Sequence, residues 1–425
     1  MTFTVSALDA TEILDSRGRP TLHVTLRLAD GTTADAGVPS GASTGTREAV
    51  ELRDDDKARY NGAGVQNALH HVHGELADLL RSRTWDTLAD ADTAMNDLDA
   101  TGTKARLGAN AIIGCSLALA RALAQSAGKE LHTHLAPPGV TPRLPVPHFN
   151  VLNGGAHAPN PLDFQEFMIA PLGAPSLPEA IRAGAEVYTA LRTRLHEAGH
   201  ATGLGDEGGF APDIAQPEDA LRMIVAAITD AGYTPGRDGI AIALDPAASE
   251  FRQKDGTYLV AGEALTSADM IARYEQIIAD FPVWSIEDGL GEDDTAGWQQ
   301  LTTTLGNRIQ LVGDDNFVTN PAIITQAIKD NIANAALIKV NQIGTVTETL
   351  QAMTICRDAG YAAMVSHRSG ETPDTFIADL AVATGCGQIK SGAPARGERV
   401  AKYNRLLAIA ASHPELPYSL TDKQA

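Results

Sequence analysis

The chain has 425 residues, 33 of them basic and 53 acidic, for a formal net charge of −20. This balance argues against a nucleic-acid binder, whose phosphate contacts need clustered Lys and Arg, and a hydrophobic content of 44% is too high for wholesale disorder. No apolar run reaches the roughly 18 residues of a membrane span, no basic leader precedes an apolar core at the N-terminus, and three scattered cysteines are too few for a disulfide framework.

Those features suit a cytoplasmic protein in which Cys115, Cys356 and Cys386 are small buried hydrophobes. In the first region, residues 21–28 alternate apolar and polar side chains, and Asp30-Gly31 follows as a hairpin turn. Helical patterns then run from about residue 64 to 128. The prolines at 137, 138, 142, 145 and 147 read as a linker. Two domains are expected, residues 1–138 and 139–425.

The second region has another rhythm: short apolar runs that each end in one ionisable residue. The ends are Asp245, Glu287, Asp314, Lys339, His367 and Lys390, at intervals of about 25 residues with a longer first step. Intervals of this size fit one strand–helix unit each, with an insertion in the first. Between the runs, Asn320-Pro321 and Thr372-Pro373 each read as a helix cap followed by proline. Val346, Leu350 and Met353 share a helical face that stops at Gly360. Strands buried on both faces give near-continuous apolar runs, so the expected architecture is a parallel α/β barrel. Its strand ends share one rim, where barrel enzymes carry their chemistry.

Three carboxylates gathered there, Asp245, Glu287 and Asp314, need neutralising, and a hard divalent cation such as Mg²⁺ does this through oxygen ligands. Without it at least one should be protonated. No Cys/His set has zinc spacing. Lys339, Lys390 and Arg368 supply positive charge for an anionic substrate, and a lysine beside other positive groups can serve as a general base. Lys339 could instead be the ion-pair partner of one of the carboxylates. Glu207 lies in the glycine-rich turn Gly205-Asp206-Glu207-Gly208-Gly209, Glu166 lies in an apolar stretch after Gln165, and His157 follows the loop Asn153-Gly154-Gly155. Two motif look-alikes are set aside. Residues 203–208 fit G-x-G-x-x-G, but the two acids in them would repel a pyrophosphate. Residues 41–45 fit G-x-S-x-G but follow a loop instead of a buried strand, which leaves Ser43 better suited to be a loop ligand for metal or phosphate.

Over nearly its whole length the sequence resembles the enolase (phosphopyruvate hydratase) family. The resemblance is carried by Asp15-Ser16-Arg17-Gly18, Ser40-Gly41-Ala42-Ser43-Thr44-Gly45, Gln165-Glu166-Phe167-Met168, Gly205-Asp206-Glu207-Gly208-Gly209-Phe210, Ser285-Ile286-Glu287-Asp288, Gly313-Asp314-Asp315, Lys339-Val340-Asn341-Gln342 and Ser366-His367-Arg368-Ser369-Gly370-Glu371. It implies a smaller N-terminal α+β domain before a modified TIM-type (β/α)8 barrel whose first strands are antiparallel. It also implies interconversion of 2-phosphoglycerate and phosphoenolpyruvate plus water with two Mg²⁺ ions. By matching position, Asp245, Glu287 and Asp314 would hold the first Mg²⁺, and Ser43 would close over the site and help hold the second. Lys339 would take the C2 proton, Glu207 would assist loss of the C3 hydroxyl and Glu166 would support it. Arg368 and Ser369 would bind phosphate, Lys390 would face the carboxylate, and His157, Gln165 and His367 would line the pocket.

Some positions depart from the family pattern. Prolines stand at 159 and 161 in the loop after His157, and Asn316 follows the metal-bearing pair Asp314-Asp315. His23 and Ala408 occupy the places of a Glu and an Arg that pair across the subunit contact in many members, and Thr11 replaces a usual Arg. A homo-oligomer, dimer or octamer, with an altered contact is expected. The partner is a small phosphorylated carboxylate, with no nucleic acid or membrane involved. Alternative readings are a secondary-pathway dehydratase of a phosphonate or carboxylated analogue, and a non-catalytic binding protein of the same fold.

Overall fold

A computed structural model describes residues 2–41 and 45–420. Near the N-terminus β1 (Val5–Leu14), β2 (Pro20–Leu28) and β3 (Thr33–Gly37) form an antiparallel sheet in that order. The alternation in β2 turns Leu22, Val24 and Leu26 inward to full burial, against the helix Ala109–Ser126.

The second region contributes β4 (Val146–Asn153), β5 (Glu166–Ala170), β6 (Ala241–Asp245), β7 (Tyr258–Val260), β8 (Glu263–Leu265), β9 (Val283–Glu287), β10 (Gln310–Gly313), β11 (Ala335–Ile338), β12 (Ala362–Ser366) and β13 (Gln388–Lys390). Eight of these close into a barrel in the order β4-β5-β6-β9-β10-β11-β12-β13. The hairpin β7–β8, placed before the crossover helix Ser267–Asp280, is the insertion that lengthens the first interval. β5 alone runs antiparallel to both neighbours, and every other pairing in the barrel is parallel. The reversal matters for the site. It puts the first residue of β5, Glu166, beside the last residues of its neighbours, Asn153 and Asp245, on the common rim.

Below the rim the barrel is filled by Val146, Met168, Ala241, Ala243 and Trp284 on one side and by Val312, Leu337 and Met364 on the other. The polar groups in this layer bond to one another. Gln310 donates to Ser285 Oγ (3.0 Å) and exchanges amide hydrogen bonds of 2.9 and 2.8 Å with Gln388.

Two expectations are corrected. The proline-rich linker does not extend to Pro147, which sits inside β4, paired with Ile389. No helix begins at Thr372-Pro373: it starts at Phe376. Asp374 is drawn out of helical geometry because its carboxylate accepts from Gly37 N at 3.0 Å and pairs with Arg121, tying this segment to the N-terminal unit. The helix Pro321–Lys329 does begin after an Asn320 cap, and the helix Val346–Ala359 ends at Gly360 with φ of +80°. Among the described residues no helix is long and apolar enough to cross a membrane.

The helix Leu177–Glu197 packs on β4 through Gly184, where an added Cβ would lie 2.3 Å from the ring of Phe149. Gly184→Ala should therefore destabilise the protein by about 1–3 kcal/mol, outweighing its better helix propensity. Urea unfolding checks this, with a lower midpoint at unchanged slope.

Candidate active site

The ionisable strand ends meet as a connected network. Lys390, the last residue of β13, places Nζ 2.9 Å from Asp245 Oδ2, 2.9 Å from Glu287 Oε1 and 3.2 Å from Glu166 Oε1. Burial opposes its charge, yet Asp245, Glu166 and Glu287 outweigh this and hold its pKa well above the ordinary lysine value. Lys339, just past β11, is ion-paired with Asp314 just past β10. Gln342 donates to the other Asp314 oxygen (2.8 Å), Thr319 Oγ donates to Gln342 (2.7 Å), and the Lys339 amide donates to Thr319 (2.9 Å), closing a ring. To place Thr319 there, the β-branched residues Val318 and Thr319 take φ of +44° and +55°, a costly backbone state for such side chains.

Opposite lies the turn with Glu207. Its glycines are required by space: a Cβ on Gly209 would fall 2.6 Å, and one on Gly205 2.7 Å, from Asn153 Oδ1. Asn150 on β4 donates to Glu207 Oε2 (3.0 Å), and His367 Nε2 lies 3.1 Å from the same oxygen. Arg399 Nη1 donates to His367 Nδ1 (2.5 Å). A guanidinium only donates, so the imidazole is neutral with its proton on Nε2, toward Glu207. Burial in turn pushes the His367 pKa down to about 3. Burial would raise Glu207, but His367 and His157 hold it well below the carboxylate range. Glu166 moves the other way, pushed well up by burial and by Glu207. His157 Nδ1 stands between the two, 3.7 Å from Glu166 and 3.8 Å from Glu207.

Arg368 is buried and paired with Glu48 of the N-terminal unit (2.9 and 3.2 Å), and it donates to Asn341 (3.1 Å). Arg399 Nη2 donates to the Ser369 carbonyl and to Ser16 Oγ. Ser40 donates to Asp15 (2.6 Å), and Arg17 holds the Gly41 carbonyl (2.8 Å). Ser43 lies outside the described residues.

His157, Gln165, Glu166, Glu207, Asp245, Lys339, His367, Arg368, Ser369 and Lys390 thus line one cleft, with Glu287 and Asp314 against its lysines. Only about 20 Å³ remains between them, about the space of one water, because the charged groups serve as one another's counter-ions. A cavity of about 750 Å³ opens at the other barrel end under Trp284 and Gln310.

A cation fits the acidic side. Glu287 Oε2 and Glu166 Oε2 are buried without a hydrogen-bond partner. Burial, Asp245 and Asp314 push Glu287 well up, and burial with Asp314 raises Asp315 to about 8. The shortage of positive charge expected from the sequence is therefore present, with carboxylate oxygens as the donors. Among the protein's own groups, burial lowers the Lys339 pKa but Asp314 overrides it and raises it.

The sequence reading missed Glu48, Asn150, Asp288, Thr319, Gln342 and Arg399. Asp288 accepts from the backbone amides of Asp314 (2.8 Å) and Asp315 (2.9 Å) and so aims that pair. Its place directly after Glu287 was the available signal. Arg399 gave none, being one basic residue on a helical face.

Residues 5–135 match the family described as enolase, N-terminal domain, and residues 141–416 match enolase, C-terminal TIM barrel domain. The chain is 55% identical to the enolase of Beutenbergia cavernae and 54% identical to that of Acidothermus cellulolyticus. Each comparison spans 405 residues, 95% of this chain and 94% of the relative. Two domain matches covering most of the sequence, over a barrel rim carrying this network of acids and lysines, establish that the chain belongs to the enolase family.

Proposed function

We infer that this protein interconverts 2-phosphoglycerate and phosphoenolpyruvate plus water, a hydro-lyase reaction, at the rim of its barrel. The observation that carries the reading is the placement of two oppositely disposed pairs, Lys339 with Asp314 and Glu207 with Glu166, around the Lys390–Asp245–Glu287 cluster.

A proton next to a carboxylate is barely acidic, because removing it adds charge to an anion. Asp245, Glu287 and Asp314 would hold Mg²⁺, with a second Mg²⁺ on the Ser43 loop. Bound there, the ions supply positive charge at the substrate carboxylate. Lys390 faces the same carboxylate. Lys339 takes the C2 proton as a neutral amine, for which its ammonium must first part from Asp314 and release its own proton to solvent. On the other face Glu207 assists departure of the C3 hydroxyl, and Glu166 stores the proton that this needs. His367 and Asn150 aim Glu207, and His157 and Gln165 line the pocket. Arg368 and Ser369 take the phosphate once Glu48 yields.

The homo-oligomer, dimer or octamer, and a cytoplasmic setting go with this reading. Three free, buried cysteines suit a reducing compartment. His23 pairs within its own sheet, with Asp35 at 2.9 Å, so it does not replace the missing Glu of a subunit-crossing ion pair.

Purified protein with Mg²⁺ and 2-phosphoglycerate should develop the ultraviolet absorbance of an enol phosphate, and no absorbance change would refute the activity. Lys339→Ala should lower exchange of the C2 proton with D₂O, followed by NMR, by roughly 10²–10⁴-fold. Near-normal exchange would remove Lys339 as the base. In Glu207→Gln, by contrast, C2 exchange should outlast dehydration, and equal loss of both would contradict the division of labour. Asp314→Ala should raise the Mg²⁺ needed for half-maximal activity by more than about 100-fold, beyond what losing a supporting partner costs. An unchanged Mg²⁺ titration would take Asp314 out of the metal shell.

A further inference from the structure

We propose a zinc site, separate from the catalytic rim, formed by Glu130, His132 and His413. The residues come from two distant parts of the sequence, Glu130 and His132 from one and His413 from the other. Glu130 precedes the short helix Leu131–Leu135, and His413 follows the helix Gly397–Ser412. Their ligand atoms lie within 4.8 Å of one another. Glu130 Oε2 is 3.2 Å from His132 Nδ1 and 3.1 Å from His413 Nε2, with the two rings edge-on at 5.0 Å. At zinc–ligand distances of about 2.0–2.1 Å, tetrahedral neighbours stand roughly 3.3–3.4 Å apart. The two edges from Glu130 are therefore already close to tetrahedral spacing, and the third, between the imidazoles, lies within 4.8 Å.

A second observation points to a ligand. His132 is 2% exposed, and its Nδ1 is buried without a hydrogen-bond partner, aimed into the cluster. The carboxylate of Asp379 lies farther off, at 3.6 Å, with Arg405 engaging its two oxygens at 2.9 and 2.6 Å. His413 has the second-sphere partner typical of a metal-bound imidazole: its other nitrogen, Nδ1, lies 3.2 Å from Glu415. Glu130 and His413 are part-exposed, which leaves the fourth position to water. Two imidazoles and one carboxylate are borderline donors suited to Zn²⁺ and poor for Mg²⁺. The bound ion would tie the end of the N-terminal unit to the last helix of the barrel.

Co²⁺ reports on the site, since four-coordinate Co²⁺ absorbs visible light far more strongly than the octahedral ion. Chelator-treated full-length protein, with Mg²⁺ in excess to occupy the catalytic rim, is titrated with Co²⁺ and then with Zn²⁺. The expected result is one strongly absorbing Co²⁺ per chain, displaced by Zn²⁺ and weakened by acidification, because both imidazoles must be deprotonated. His413→Gln should lower the affinity at least roughly 10–100-fold while leaving Mg²⁺-dependent turnover intact. Glu130→Gln, a second exposed change, should weaken binding likewise. Absence of the strong absorption, or equal binding by wild type and His413→Gln, would overturn the site and leave a His413–Glu130 ion pair in its place.

Discussion

Several carboxylates on one buried rim repel each other, and the fold of this protein is arranged around holding them there. Lys390 is the central device. One ammonium within hydrogen-bond reach of Asp245, Glu287 and Glu166 neutralises part of the charge, and its own protonation is enforced by the same acids. Breaking a buried ion pair leaves an uncompensated charge, which costs several kcal/mol. The rim is therefore a place where charge must be supplied, and an anionic substrate with cations is a natural occupant.

The N-terminal unit does more than cover the barrel. Ser16, Ser40 and Glu48 all reach the rim loops, through Arg399, the backbone of Gly370 and Arg368 respectively. Glu48 also receives the Gly45 amide at 3.1 Å, so the segment leaving the Ser43 loop is fastened to the same carboxylate that occupies Arg368. The Gly45 segment and Arg368 therefore share one carboxylate, so that moving Glu48 off Arg368 also disturbs the anchor of that segment.

The barrel was legible in the sequence because parallel strands buried on both faces write themselves as apolar runs, and a lone ionisable residue at the end of each run is conspicuous. β4 and β5 were less so. Pro147 sits inside the first, and the reversed direction of the second places its site residue, Glu166, at the start of an apolar run instead of its end. Partners that act across domains, such as Glu48 and Ser16, carry no local pattern. Thr319 serves the site through a left-handed backbone that no residue type announces. The histidines 132 and 413 likewise share no motif, since only folding of the two ends of the chain brings them together. The Thr372-Pro373 cap signal was real in kind, but the Asp374–Arg121 tie to the N-terminal unit overrode it.

The protonation pattern bears on direction. Lys339, ion-paired with Asp314, is an ammonium that can donate a proton, and Glu207, accepting from Asn150 with the His367 N–H toward it, is a base. On the reading proposed above, those are the forms that would add water across phosphoenolpyruvate, the lysine protonating C2 while the carboxylate takes a proton from water. Elimination from 2-phosphoglycerate requires the mirror state, a neutral lysine and a protonated glutamate, because a reversible reaction uses the same groups in both directions. The chain carries the means of crossing between the two. In that reading Glu166, buried beside Glu207 and pushed toward keeping a proton, would be the reservoir on one face. Asp314, paired with Lys339 and accepting from Gln342, would be the control on the other. The two faces are joined through Lys390, which touches Glu166 on one side and Asp245 and Glu287 on the other, so charge gathered at the acidic side is felt by both pairs.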